Sequence, residues 1–516
     1  MAVTLSSAGR GDDEASASFP AAMAVVIAID AGTTGVRSFA VRPDGSPAGY
    51  AYREFPQHFP RPGWVEHDPI DIWNATIETL ADLVAKLDGE PVATLGITNQ
   101  RETTVAWDRR SGAPLHNALV WQDRRTAARC DELREAGHLE EVRATTGLVL
   151  DPYFSATKLE WLLTEGGVDV GPHTALGTVD SWLVWNLTGG RAGGVHATEP
   201  SNAGRTLLFD IRSLAWSPAL CDLFGVPRAN LAEVRPSGGR FGETADGLPV
   251  PAGVPISGVL GDQQAALFGQ ACLAPGLTKN TYGTGSFVLM NVGDRCPEPV
   301  EGLLTTVAWV IDGQPAAYAL EGAIFVTGAA VQWLRDGLGL IRDSAEIGPL
   351  AEACADSGGV VMVPAFTGLG SPWWDPYARG TILGITRGST SAHLARAIVE
   401  AMAYQTRDVV DAMSAASGQT VAELRVDGGA SAMDLLLQIQ ADQLRVPVSR
   451  PVVQETTALG AAYVAGLAEG VWSTTDEVAR SWALDRRVEP TAPRMDADAR
   501  YARWQEAIAR SRGWAT

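Results

Sequence analysis

Two segments far apart in the chain share one design: an apolar run rich in β-branched residues, a turn of glycine and threonine, and a second apolar run. The first is Val25-Val26-Ile27-Ala28-Ile29, then Asp30-Ala31-Gly32-Thr33-Thr34-Gly35, then Val36 to Val41, with Pro43-Asp44-Gly45 as a further hairpin turn. The second runs from Lys279-Asn280-Thr281-Tyr282 through Gly283-Thr284-Gly285 to Ser286–Met290. Such a turn presents backbone N–H groups at the tip of a hairpin, where they can hold an anion. Its recurrence points to an internal structural duplication, although direct identity between the halves is weak.

The rest of the chain alternates helices and strands. Ile70 to Leu87 has apolar residues at helical spacing, and Val92 to Ile97 is a strand ending in the polar group Thr98-Asn99-Gln100-Arg101-Glu102. A polar cluster at the C-terminal end of a strand is a common site address in α/β folds. His393 to Met413 is a long amphipathic helix, and Leu424-Arg425-Val426 is a strand. That strand leads into Asp427-Gly428-Gly429-Ala430-Ser431 and a helix from Met433 to Leu444, which is either an anion site or a plain structural turn. The pattern predicts an α/β protein of two lobes with a cleft, divided near Gly269–Pro275. The expected organisation is a disordered extension over 1–22, a first domain over 23–270 and a second over 271–516, with Met23 as an alternative start.

Charge and cysteine usage exclude several partners. With 60 acidic against 40 basic residues the net charge is -20, which opposes nucleic acid or an anionic membrane surface as the main partner. The only lysines are Lys86, Lys158 and Lys279, and none follows a glycine, so a Walker-type loop is absent. Cys130, Cys221, Cys272, Cys296 and Cys354 are scattered and never spaced as Cys-x-x-Cys, which reads as reduced thiols of a cytoplasmic protein. The histidines stand alone, without metal-ligand spacing. No apolar run is long enough to span a bilayer.

Several long motifs, in order, carry a resemblance. They are Gly63-Trp64-Val65-Glu66-His67-Asp68-Pro69, the stretch Gly96–Thr104 (GITNQRETT), Tyr153–Leu162, Gly261–Gly269 (GDQQAALFG), Trp374–Gly380, and Gly380–Ile385 with His393-Leu394 and Ala397–Glu400. On these the chain resembles the FGGY carbohydrate kinases, and within them the glycerol kinases, from Val25 to the last helix. The resemblance implies an α/β fold of two actin/hexokinase-like (ribonuclease H-like) domains. ATP, Mg²⁺ and a small polyol would meet in the cleft between them. The implied reaction is phosphorylation of glycerol to sn-glycerol 3-phosphate, by an enzyme that is often a homo-oligomer.

The resemblance also assigns roles. Asp262 matches the family's catalytic aspartate; the alternative is a capping Asp before a helix over Gln263–Phe268. Asp30 lies near Mg²⁺, and Thr33, Thr34, Gly35, Arg37 and Thr284 hold the phosphates. Arg101, Glu102, Tyr153 and Gln263 bind the hydroxyls, each of which needs both a donor and an acceptor. For Arg101 and Glu102 the alternative is a surface ion pair. Trp121 and Phe287 either cover the carbon chain or pack in a core. Gly328, Gln332, Gly429 and Met433 fall at the adenine and ribose end.

The chain departs from the family pattern at four positions. Met433 replaces a common Asn, Ala31 a usual Gln, and Gly35 a usual hydroxyl residue, while Asp123 stands where some members carry Cys. These changes leave room for another polyol or ketose, such as erythritol or xylulose. A non-catalytic ATP-binding module is the alternative of a different class, and retention of Asp30 and Asp262 opposes it.

Overall fold

The computed structural model describes residues 24–515, so the extension expected over 1–22 lies outside the described residues. Two mixed sheets carry the architecture. In the first half, β1 (Val25–Ala31), β2 (Gly35–Val41) and β3 (Pro47–Glu54) form an antiparallel meander. They are joined by β4 (Val92–Asn99), β5 (Gly238–Glu243) and β6 (Pro255–Gly261) in the order β5-β6-β4-β1-β2-β3. β4 runs parallel to both β1 and β6. β1 is buried along nearly its whole length, as its unbroken apolar run requires of a central strand.

Helix α1 (Pro69–Leu87) covers this sheet. The Asp68 side chain accepts from the Ile70 amide, Pro69 takes the first helical position, and Ile72, Leu80, Leu83 and Leu87 form the buried face. A small sheet of Glu66–His67, Ala118–Leu119, Thr104–Asp108 and Thr174–Thr178 shares the core of this half through Val105, Trp107, Ala118 and Ala175.

The second half holds β7 (Thr278–Tyr282), β8 (Ser286–Gly293), β9 (Leu304–Trp309), β10 (Ala317–Ile324), β11 (Leu424–Asp427), β12 (Val448–Pro451) and β13 (Leu484–Val488). Their order is β9-β10-β8-β7-β11-β12-β13. Three antiparallel strands followed by two parallel ones therefore occur twice, as β3-β2-β1-β4-β6 and as β10-β8-β7-β11-β12. This repeated topology is the duplication that the twin hairpins predict.

The remaining helices that matter are α2 (Ser155–Thr164), α3 (Asp262–Gly269), α4 (Gly328–Gln332), α5 (Ser391–Ser417), α6 (Asp434–Leu444) and α7 (Thr456–Ala468). α5 is longer than its apolar periodicity suggests. A reciprocal cap between Thr390 and His393 starts it early, and Gly418 in the left-handed region ends it. Among the described residues no helix is long and apolar enough to cross a membrane.

Although α7 lies late in the sequence, it packs on the first sheet and on α3. Gly269 and Gly460 allow backbone to meet backbone there: a Cβ on Gly269 would stand 2.8 Å from the Gly460 nitrogen. Val26, Ala28 and Leu260 of the first sheet, Ala461 and Val464 of α7, and Leu289 and Ala319 of the second sheet form one apolar cluster. This shared core joins the two halves. Registers of Asp30 with Thr98, Gly261 with Asn99, and Thr281 with Asp427 bring the strand ends of each sheet to one rim. Arg101, just beyond the end of β4, meets Glu321 in the middle of β10, which shares a row with Leu289 and Lys279, so the first rim abuts a face of the second sheet.

Candidate active site

Both hairpin turns keep amides free. In the first, the Gly32 amide donates to the Gly35 carbonyl, while those of Thr33 and Thr34 have no partner among the described residues. The Thr33 carbonyl accepts from Gln57 Nε2 at 2.8 Å and its hydroxyl from Trp121 Nε1 at 2.9 Å, so this residue is anchored on its far side. In the second turn Gly283 N donates to the Gly285 carbonyl, and the Thr284 and Gly285 amides have no partner among the described residues. The start of α4 seals this turn from behind. Gly328 N donates to the Gly283 carbonyl at 3.0 Å, where a Cβ on Gly328 would approach within 2.5 Å.

At the end of β6, Asp262 is the first residue of α3, and Gly261 before it takes the cap position. Its Oδ1 accepts from the Gln263 amide at 2.7 Å and pairs with Arg101 Nε at 3.1 Å. Oδ2 has no protein donor among the described residues, and the side chain is 30% exposed. Burial raises the Asp262 carboxyl above its ordinary value, against the pull of Arg101.

Arg101 and Glu102 are not a surface pair. Both are buried, within a four-charge cluster whose other members are Arg205 and Glu321. Arg101 donates to Glu321 at 2.6 and 3.1 Å, and Arg205 donates to Glu321 at 3.0 Å and to Glu102 at 2.6 Å. Direct contact between Arg101 and Glu102 is longer, at 3.9 Å. Glu102 takes a left-handed φ of 62°, which swings its side chain away from its neighbour and toward Arg205. Burial alone would raise Glu321, but Arg101 and Arg205 reverse this and hold it down at about 2. Glu102 stays above its ordinary value because burial outweighs the two cations.

The Tyr153 hydroxyl accepts from Arg101 Nη2 at 3.4 Å, and its ring meets Trp121 edge to face at 5.5 Å. Lys158, on α2, donates to the carbonyls of Pro152, Tyr153 and Phe154 at 2.8–2.9 Å and so fixes the segment that carries Tyr153. Lys279 donates to Gln263 Oε1 at 2.5 Å and to Thr281 Oγ1 at 2.9 Å, which orients the Gln263 amide. Phe287 pairs with Thr281 across β7 and β8, and so shares the face of Lys279. Burial pushes both lysines down to about 8. Asp123 serves the scaffold, accepting from Val65 N, Arg125 N and Arg125 Nε.

Asp30, Arg37 and Tyr52 lie opposite one another in a row across β1, β2 and β3. Arg37 forms a salt bridge with Glu455, just ahead of α7, so part of its charge is already neutralised. Burial pushes the Asp30 carboxyl up to about 7, opposed by Arg37 and reinforced by Asp262. Asp30 accepts no hydrogen bond among the described residues, and no three His, Cys, Asp or Glu side chains there converge as a metal cage. A desolvated carboxylate beside a second one fits a hard divalent cation that keeps several waters.

On the second-domain rim, Gly328 and Gln332 begin and end α4, while Gly429 and Met433 bracket a single turn ahead of α6. Their neighbours Ala329 and Ala430, with Met433 itself, belong to one apolar cluster. Met433 packs toward Gly348, where a Cβ would stand 3.4 Å from its Cγ.

Residues 25–269 match the FGGY family of carbohydrate kinases, N-terminal domain, and residues 278–469 match the C-terminal domain of that family. The chain is 53% identical to glycerol kinase 2 of Thermotoga maritima, over 95% of this chain and 99% of that protein. It is 55% identical to the glycerol kinase of Trichlorobacter lovleyi, over 96% of this chain and 100% of that protein. Among solved structures, Plasmodium falciparum glycerol kinase with ADP is similar with a TM-score of 0.88 at 32% identity, covering 95% of this chain and 98% of that one. The ligand-bound xylulose kinase of Lactobacillus acidophilus shares the fold, with a TM-score of 0.83 at 20% identity, covering 95% and 99% of the two chains.

Proposed function

The chain belongs to the FGGY family of carbohydrate kinases, and from that premise we propose that it transfers the terminal phosphoryl group of ATP to glycerol, giving sn-glycerol 3-phosphate. The observation that carries the chemistry is the placement of Asp262. Its Oδ1 is fixed by Arg101 and Gln263, while its Oδ2 is without a protein donor among the described residues on a side chain 30% exposed. Identity above 50% over nearly the whole length with proteins named glycerol kinase supports the choice of polyol.

Asp262 Oδ2 accepts the proton of the attacking hydroxyl as the O–P bond forms and the bond to the leaving ADP breaks. Its raised proton affinity makes it a better base than an ordinary aspartate. Arg101 and Tyr153 offer donors to the polyol, Glu102 an acceptor, and Gln263, its Oε1 engaged by Lys279, an amide donor. Trp121 and Phe287 cover the carbon chain. Thr33, Thr34 and Gly35 from one side and Thr284 from the other hold the phosphates, largely through the free amides, with Arg37 beside them. Gly328, Gln332, Gly429 and Met433 receive the ribose and adenine, with the Met433 thioether packing on the ring. Asp30 would hold Mg²⁺, which when bound neutralises phosphate charge.

A coupled ADP-release assay with Mg-ATP and a polyol panel tests the reading. Glycerol should give the highest kcat/KM. A larger value for erythritol or xylulose would replace glycerol, and no ADP release with any polyol would remove the kinase reading.

A further inference from the structure

Glycine at position 35 offers no side-chain donor of its own where β2 begins. The space beside it is not open. A Cβ on Gly35 would stand 2.7 Å from the Tyr52 hydroxyl oxygen and 2.8 Å from Tyr52 Cζ, so the end of the Tyr52 side chain occupies the volume that a residue at 35 would fill. The same Cβ would reach 2.5 Å from the Arg53 carbonyl, so β3 lies closer to the turn than any residue but glycine permits. The Tyr52 hydroxyl is 3.3 Å from Thr34 Oγ1. Its ring lies under the Arg37 guanidinium, 5.4 Å from ring centre to Cζ.

Register places this tyrosine. Tyr52 is directly opposite Arg37, which is directly opposite Asp30, so the three side chains project from one face of the sheet. At 40% exposure Tyr52 is a large aromatic residue held at a solvent-accessible turn by its hydroxyl and by the cation above its ring.

We infer that Tyr52 is a phosphate-binding residue of this site: its hydroxyl, lying over Gly35 and beside Thr34, donates to the β-phosphate of the bound nucleotide. Thr34 Oγ1 orients that hydroxyl, and the cation–π contact holds its ring. The inference rests on the ATP-dependent reading above and adds to it a contact from β3, a strand that no sequence motif marks.

The test uses the full-length chain and Tyr52→Phe, which keeps the ring under Arg37 and removes only the hydroxyl. Affinities for ADP and AMP are measured by titration calorimetry, and KM for Mg-ATP and for glycerol by initial rates. Loss of one hydrogen bond to a charged phosphate should weaken ADP binding and raise the Mg-ATP KM by about 5- to 30-fold. AMP affinity and the glycerol KM should stay unchanged. If wild type phosphorylates glycerol and Tyr52→Phe binds ADP as tightly as wild type, Tyr52 has no such role. Equal weakening of ADP and AMP would also overturn it, because the lost contact would not be with the outer phosphates. If wild type binds no adenine nucleotide, the kinase reading fails and this inference with it.

Discussion

The guanidinium of Arg101 meets the carboxylate of Glu321 through two hydrogen bonds, of 2.6 and 3.1 Å, that tie the rim of the first sheet to strand β10 of the second. Both side chains are buried, and Arg205 completes the charge balance. Removing Glu321 leaves two guanidinium groups in a desolvated site with only Glu102 and Asp262 to balance them. Glu321→Ala should therefore cost about 3–5 kcal/mol of stability, a scale typical of breaking a buried ion pair. Urea unfolding of the variant measures this, and the glycerol KM should rise with Mg-ATP KM unchanged, since Arg101 loses its orientation. An unfolding midpoint equal to wild type would show that the cluster is dispensable.

Lys158 acts one step further from the chemistry. Its ammonium group holds three successive carbonyls, and Tyr153 belongs to that segment. Lys158→Met keeps the apolar stem and loses the three bonds. Stability should fall by about 2 kcal/mol, and initial rates should show a higher glycerol KM with the Mg-ATP KM unmoved. Equal effects on both substrates would place the role of Lys158 in the general fold.

The roles proposed for Asp30 and Asp262 imply a pH profile. Asp30 is pushed up to about 7 before any cation binds, and Asp262 also lies above its ordinary value. In the proposed reaction each must be ionised, Asp30 to hold the metal and Asp262 to act as base. Activity should therefore fall as pH drops through their raised values. The acid limb of kcat/KM should lie well above the ordinary aspartate value of about 3.9. Higher Mg²⁺ should shift it toward lower pH if Asp30 governs it, because a cation favours the ionised form. A profile flat down to pH 5 at every Mg²⁺ concentration would contradict the assignment.

Much of this site can be read from the chain because it is local. Each glycine–threonine turn sits between two apolar runs, and Asp262 lies at the junction of a strand and a helix. The fold class follows from the same repeated pattern. Glu321 and Arg205 are not legible in that way. Each is a lone charge inside an otherwise ordinary stretch, Ala319-Leu320-Glu321-Gly322 and Ala203-Gly204-Arg205-Thr206, and its partners come from remote elements. Adjacent Arg101 and Glu102 suggest a mutual pair, yet the left-handed backbone at Glu102 sends the two side chains to different partners. Tyr52 is visible only once the β2–β3 register is known.

The central claim is that Asp262 Oδ2 takes the proton of the polyol, and Asp262→Asn tests it most directly, because the amide keeps the shape and loses the base. The measurement is kcat, with glycerol and ADP affinities determined by calorimetry on the same preparation. The account predicts a fall in kcat of about 10²- to 10⁴-fold with both affinities within a few-fold of wild type. A variant that turns over near the wild-type rate would contradict it.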